Sequence, residues 1–154
     1  MPRTSAGILL YRLRPAGVEV LLGHMGGPFW AKKDDGAWSI PKGEHGPDED
    51  PLAVAHREFE EELGSPVPVG PLLPLGAVRV TSAKVLTVWA VEGDLDATAT
   101  RSNTFELEWP PRSGRMAAFP EVDRAAWLTL EEASRLILAG QRPFLTRLES
   151  LLPR

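Results

Sequence analysis

Three glutamates lie close together in the segment REFEEELG, residues 57–64: Glu58, Glu61 and Glu62. Residues three and four positions apart share a face of an α-helix, so these side chains would project together. A solvated helix tolerates the repulsion, which costs roughly a few tenths of a kcal/mol per pair. A hard cation such as Mg²⁺ or Mn²⁺ would relieve it, because such ions take carboxylate oxygens and keep positions open for phosphate. A hydrated acidic face and a metal site are the two interpretations.

The segment that carries these glutamates is predicted to be a helix over residues 50–64. Apolar residues recur every three or four positions on one stripe: Leu52, Ala55, Phe59 and Leu63. Asp48 or Asp50 can cap the start, Pro51 suits a first turn, and Gly64 is expected to end the helix. The glutamates then lie away from the apolar stripe.

The rest of the chain alternates apolar runs with turns rich in proline and glycine. Strands are predicted at residues 6–13, 18–25, 37–40, 73–80, 84–93, 104–109 and 124–130, and further helices at 130–140 and 142–152. Residues 26–36 are predicted to be a loop, and 102–120 is the longest irregular region. Without a repeat or a long linker, we expect an α/β or α+β fold in a single domain, residues 1–154, with a sheet sandwiched between helices.

The composition excludes several classes of function. The 154 residues contain no cysteine, which excludes disulfides and thiolate metal sites and fits a reducing, cytoplasmic location. With 17 basic and 21 acidic residues, the net charge is −4, so duplex nucleic acid is not an expected partner. The N-terminal apolar run of about five residues is too short for a signal sequence or membrane span.

The glutamate segment resembles the Nudix box, G-x5-E-x7-R-E-U-x-E-E-x-G-U, in which U is apolar. Gly43 is followed after five residues by Glu49, and after seven more by the run from Arg57 to Gly64. All seven fixed letters match, and the odds of a chance match are on the order of one in a million. Ser65 departs from the pattern, because it stands where the family has an apolar residue.

The resemblance implies a Nudix hydrolase with a mixed sheet between helices, which uses a divalent metal to cleave a diphosphate linkage in nucleoside polyphosphates. It implies that Glu58, Glu61 and Glu62 hold Mg²⁺ or Mn²⁺ and that Arg57 orients the carboxylates. Glu58 is our candidate for the base that takes a proton from water, although a loop glutamate can serve instead. Glu121 is the candidate for a further metal ligand, and Asp123 competes with it; Glu49 is expected to brace the loop.

The surroundings of the box suggest a substrate with a phosphate chain. The form P-K-G at Lys42 resembles that of some dinucleoside polyphosphate hydrolases and some triphosphate pyrophosphohydrolases, and a lysine there supplies a charge for phosphate. Other candidate substrate contacts are basic or aromatic: Lys32, Lys33, Arg79, Lys84, Arg112 and Arg115, with Trp30 or Trp38 to stack a base. The resemblance also makes a homodimer reasonable. The alternative is a catalytically idle Nudix-like module that senses a ligand or binds a protein.

Overall fold

A seven-stranded mixed sheet and three helices form the structure, a computed structural model that describes residues 2–153. The strands of the sheet are β1 (Arg3–Arg14), β2 (Gly17–Met25), β3 (Trp38–Ser39), β4 (Lys42–Glu44), β5 (Leu72–Thr81), β6 (Lys84–Glu92) and, later in the chain, β9 (Val122–Thr129). Strands β7 (Thr104–Glu108) and β8 (Met116–Pro120) form a separate hairpin. The helices are α1 (Pro51–Leu63), α2 (Leu130–Leu136) and α3 (Arg142–Leu151).

Two apolar clusters lie on opposite faces of the sheet, because neighbouring residues of β1 point to opposite sides. Ile8 and Leu10 belong to the cluster that α1 covers, whereas Leu9 and Tyr11 belong to the one that α2 and α3 cover. The predicted sheet between helices is therefore confirmed, and it is mixed because β1 runs parallel to β6 and antiparallel to β2.

Strand β1 changes partner along its length. Its C-terminal end pairs with β2 over Tyr11–Arg14, whereas Ser5–Gly7 pair with β4. On the edge of β2 that faces β1, Gly23 and His24 pair with β3, whereas β9 pairs along the opposite edge over Glu19–Met25. The sheet therefore forks between β4 and the paired strands β2 and β3, and the fork leaves room for a cavity.

Helix α1 begins and ends as its sequence predicts. The carboxylate of Asp50 accepts a hydrogen bond from the Leu52 amide (3.3 Å), and Gly64 follows the helix with a left-handed φ of 79°. Ser65 is half-buried, and Val67 packs against the core beyond it. Val67 thus supplies an apolar contact close to the position where Ser65 departs from the box.

Helix α2 is shorter than predicted, because it ends at Leu136 and not at residue 140. Ile137 is extended and forms a parallel bridge with Trp38, and the Leu138 amide donates to the Trp38 carbonyl (2.8 Å). A 3₁₀ turn, Ala139–Gln141, follows. The pairing with β3 competes with the helix, and a pairing so distant in sequence leaves no local signal.

The region predicted to be irregular, residues 102–120, contains the β7–β8 hairpin. Its strand at 104–109 is confirmed as β7, but the prediction was wrong for residues 116–120, which form β8. The Glu108 carboxylate accepts hydrogen bonds from the amides of Arg112 and Gly114, which closes the turn. Across residues 2–153, no helix is both long and apolar enough to cross a membrane.

Candidate active site

A cavity of about 320 Å³ opens in the fork of the sheet. Strands β1, β2, β3, β4, β5 and β6, helix α1 and the start of β9 all contribute to its wall. Its charged lining residues are Lys42, Glu44, Glu58, Glu62, Lys84 and Glu121. Acidic and basic groups thus share one small space.

Three carboxylates meet in this cavity. One oxygen from each of Glu58, Glu62 and Glu121 lies within 4.8 Å of the others. Gly43 permits the approach of Glu58, since a Cβ at residue 43 would collide with the Glu58 side chain. Glu121 is held through its backbone: its carbonyl accepts from the Gly26 amide (2.9 Å) and its amide donates to the Asn103 carbonyl (2.9 Å). Helix α1 and a distant loop are thereby joined in one cluster.

Burial makes these carboxylates hard to ionise by themselves. It raises the pKa of Glu62, which is only 9% exposed, to about 8, although Lys42 opposes the rise. The pKa values of Glu58 and Glu121 are also raised, first by burial and then by the charge of Glu61. An oxygen-rich set with one nearby lysine fits a hard divalent cation, which would stabilise the ionised carboxylates.

Glu61 lies beside this cluster and not among its three members. Its carboxylate is 3.9 Å from the Arg57 guanidinium and lines a neighbouring groove with Arg101 and Asn103. Arg57 also lies 3.7 Å from Glu58 and 3.6 Å from Glu49. Arg57 thus contacts three carboxylates of the box.

Glu49 braces the loop before α1. Its carboxylate accepts from the Gly46 amide (2.7 Å), and this hydrogen bond, together with Arg57, lowers the pKa of Glu49. Asp123 is engaged elsewhere, since it pairs with the buried His24 (2.8 Å) and with Arg124 (3.4 Å). Of the two competing loop residues, the structure brings Glu121 to the cluster.

The family model of the NUDIX domain matches residues 1–148. The chain belongs to the NUDIX family. No curated protein sequence matches it. The match of the family model confirms the family that the box residues predicted.

Solved Nudix structures share the fold at low sequence identity. An Ap4A hydrolase from C. elegans, in a binary complex, is 18% identical with a TM-score of 0.64, over 95% of this chain and 96% of that chain. The NUDIX domain of Shewanella oneidensis NrtR, complexed with ADP ribose, is 15% identical with a TM-score of 0.66, over 99% and 90%. The Nudix hydrolase RenU from M. smegmatis is 21% identical with a TM-score of 0.58, over 98% and 89%.

The basic residues predicted to contact substrate divide into two groups in this Nudix fold. Lys42 and Lys84 line the cavity. Arg79 does not line it, and its guanidinium donates to the Ser82 carbonyl (3.0 Å). Lys32 and Lys33 are exposed in the loop after β2, and the Lys33 ammonium lies 5.4 Å from the centre of the Trp30 ring.

The remaining predicted contacts lie away from the cavity wall. Trp38 is 5% exposed, packs in the core and donates its indole N–H to Asp34 (2.8 Å), so its ring has no open face for a base. Trp30 packs partly against the same core. Arg112 and Arg115 are exposed in the turn of the β7–β8 hairpin.

Sequence reasoning missed two hydroxyl groups in the cavity wall, those of Ser5 and Ser39. The Ser39 hydroxyl donates to the Ile40 carbonyl (2.9 Å) and accepts from the buried Gln141 amide (3.0 Å). Ser5 is the single serine of β1 and gave no signal of its own, because only the fork of the sheet gives that position a cavity to face.

Proposed function

We propose that this protein is a metal-dependent pyrophosphohydrolase, which cleaves a diphosphate linkage in nucleoside polyphosphates. The observation that carries the proposal is the cluster of Glu58, Glu62 and Glu121 in a cavity that Lys42 also lines. A cluster of like charges without a partner is costly, whereas the same cluster is suited to Mg²⁺ or Mn²⁺ beside a phosphate chain.

Each side chain has a role in this proposal. Glu58, Glu62 and Glu121 hold the divalent ion, with Glu61 next to them, and Arg57 keeps Glu58 and Glu61 in place. When bound, the ion would neutralise charge on the phosphate oxygens and lower the pKa of water.

Glu58 takes the proton of the attacking water, because its carboxylate belongs to the cluster that would hold the ion and therefore lies beside the place of that water. The water oxygen bonds to phosphorus, and the bridging oxygen leaves with the second phosphate. Lys42 contacts phosphate oxygens as a point charge.

The substrate class follows from the family and the cavity together. Two structural neighbours involve nucleoside diphosphates joined to a further group, namely Ap4A for the C. elegans hydrolase and ADP ribose for the NrtR domain. We propose a (d)NTP or a dinucleoside polyphosphate for this protein, since Lys42 stands in the P-K-G form beside the metal loop. The protein would act in the reducing cytoplasm, which its lack of cysteine suits, as a homodimer.

Turnover of a substrate panel tests the proposal. Purified protein would be incubated with Mg²⁺ or Mn²⁺ and with dNTPs, diadenosine polyphosphates, ADP ribose and inositol pyrophosphates, and the products resolved by chromatography. We expect hydrolysis of a nucleoside polyphosphate that stops when a chelator is added. ¹⁸O-labelled water would identify the phosphorus that is attacked.

Glu62→Gln supplies the matched variant, with Glu60→Gln as its control on the exposed side of the same helix. We expect kcat to fall by at least about a hundredfold for Glu62→Gln, because it loses a charged ligand, and to be retained in Glu60→Gln. Circular dichroism would establish that both variants fold. If the folded wild-type protein hydrolyses none of the panel, the hypothesis of an enzyme is refuted. The alternative of a catalytically idle Nudix-like module would then remain.

A further inference from the structure

The cavity wall also presents polar groups outside the cluster of Glu58, Glu62 and Glu121. Ser5 in β1 and Lys84 at the start of β6 both line it, and neither belongs to the Nudix box. Val80 and Leu86 complete this part of the wall. This part of the wall therefore offers a hydroxyl group and an ammonium group next to apolar side chains.

The register of the sheet puts these side chains on one face. Ser5 pairs with Glu44 of β4 on one side and with Leu86 of β6 on the other, and Arg3 pairs with Lys84. Partners in register point to the same side of a sheet, and so do residues two apart in a strand. Ser5, Lys84 and Leu86 therefore share the face on which α2 and α3 pack further along the strands.

Ser5 is buried, but its polar atom is not used within the fold. The residue is 7% exposed and lines the cavity, and no hydrogen bond joins its hydroxyl to another residue of the described chain. No fully enclosed side-chain polar atom lacks a partner in residues 2–153, so the Ser5 hydroxyl meets the open space of the cavity. A polar group in this position is available to a ligand.

Lys84 is also available to a ligand. It takes part in none of the ion pairs found within the described part of the chain. Glu44, the nearest acid by strand register, lies 3.7 Å from the Arg3 guanidinium. The exposed Lys84 side chain therefore borders the cavity with no carboxylate of the described residues within ion-pair distance.

We propose that Ser5 and Lys84 form a phosphate subsite, separate from the carboxylate cluster, that selects substrates with more phosphate groups than the cleaved diphosphate contains. The inference rests on the proposed function, whose substrate class it narrows. Glu58 lies against Gly43 in β4, and two strand spacings, roughly 10 Å, separate β4 from β6. A single phosphate group cannot contact both the carboxylate cluster and Lys84 over that distance. A polyphosphate bound at the carboxylates is long enough to reach Lys84.

The test compares substrates of different phosphate number. Diadenosine tetraphosphate and ADP ribose would be assayed with wild type, Lys84→Gln, Lys84→Arg and Ser5→Ala. We expect Lys84→Gln to raise KM about tenfold for the tetraphosphate, with kcat and the KM for ADP ribose nearly unchanged. Ser5→Ala should raise the same KM about fivefold, and Lys84→Arg should restore most of the affinity. Arg135→Gln, which removes an equal charge on α2, is the control.

Equal effects on both substrates, or no effect on either, would overturn the subsite while leaving the hydrolase intact. Calorimetric binding of inorganic tripolyphosphate gives a measurement that needs no turnover. Wild type should bind it more tightly than Lys84→Gln, and Arg135→Gln should match wild type. If no member of the substrate panel is hydrolysed, the proposed function fails, and the tripolyphosphate titration still decides the subsite: equal binding by wild type and Lys84→Gln, or no binding at all, refutes it.

Discussion

At the scale of single residues, Glu62 shows how the proposed metal site opposes stability. Its carboxylate is buried beside Glu58 and Glu121, and burial raises its pKa to about 8. In the unfolded chain the same group titrates near its ordinary value of 4.5. The folded protein therefore binds a proton that the unfolded chain has already released between these two pH values.

We predict that the metal-free protein loses stability as pH rises from about 4.5 through about 8. Since the unfolded chain binds fewer protons over this interval, the free energy of unfolding must decrease with pH. Urea unfolding in the presence of a chelator, at several pH values between 5.5 and 8.5, measures the slope. Glu58 and Glu121 contribute in the same direction, because their pKa values are raised as well.

Glu62→Gln should flatten this dependence, because the amide does not titrate, whereas Glu60→Gln should leave it as in wild type. Addition of Mg²⁺ should restore stability most strongly at high pH, where the ligands are ionised. Equal slopes for wild type and Glu62→Gln would contradict the assignment of a raised pKa to this residue.

At the scale of elements, the segment after α2 connects the C-terminal part of the chain to the cavity. Ile137 pairs with Trp38, and Gln141 accepts from the Ile40 amide (3.0 Å) while it donates to the Ser39 hydroxyl (3.0 Å). Gln141 is 1% exposed, so both bonds are shielded from water. This segment therefore holds β3, whose Ser39 lines the cavity.

We predict that Gln141→Ala destabilises the protein by about 1–3 kcal/mol, because it leaves the buried Ile40 amide without an acceptor. Urea unfolding monitored by circular dichroism measures the change. Glu149→Ala, at an exposed position of α3, is the control and should stay within about 0.5 kcal/mol of wild type. A Gln141→Ala variant as stable as wild type would show that water or another group replaces the amide.

At the scale of the whole molecule, α1 and the α2–α3 pair cover the two faces of one sheet. Strands β1 and β9, from opposite ends of the chain, both pair with β2 in this sheet, which favours cooperative unfolding. We therefore propose that residues 1–154 form a single domain.

A single domain should unfold in one transition. We predict that far-ultraviolet circular dichroism and the fluorescence of the five tryptophans give the same midpoint in urea. Two separated midpoints would show that part of the chain unfolds independently.

Light scattering after size exclusion tests the proposed homodimer. The measured mass should be twice the chain mass of 16.8 kDa at working concentration, and it should fall on dilution if association is weak.

Local patterns in the sequence determined helix α1, which carries the glutamates. The caps of α1, its apolar stripe and the spacing from Gly43 to Gly64 depend on residues a few positions apart, and the predicted and observed helices agree. The family followed from the same short segment, because all seven fixed letters of its box lie within residues 43–64. The strands predicted at 6–13 and 18–25 depend on local patterns for the same reason, and as neighbours in sequence they pair with each other.

Tertiary structure alone decided which distant residues meet. Glu121 joins Glu58 and Glu62 because a backbone hydrogen bond to Gly26 holds its loop, and Glu61 lies outside that cluster despite its place in the box. Trp38 is a core residue that pairs with β2 and with Ile137, and Ser5 lines the cavity where β1 pairs with β4 and not with β2. Such pairings depend on the order of strands in the sheet, which no local spacing of residues encodes.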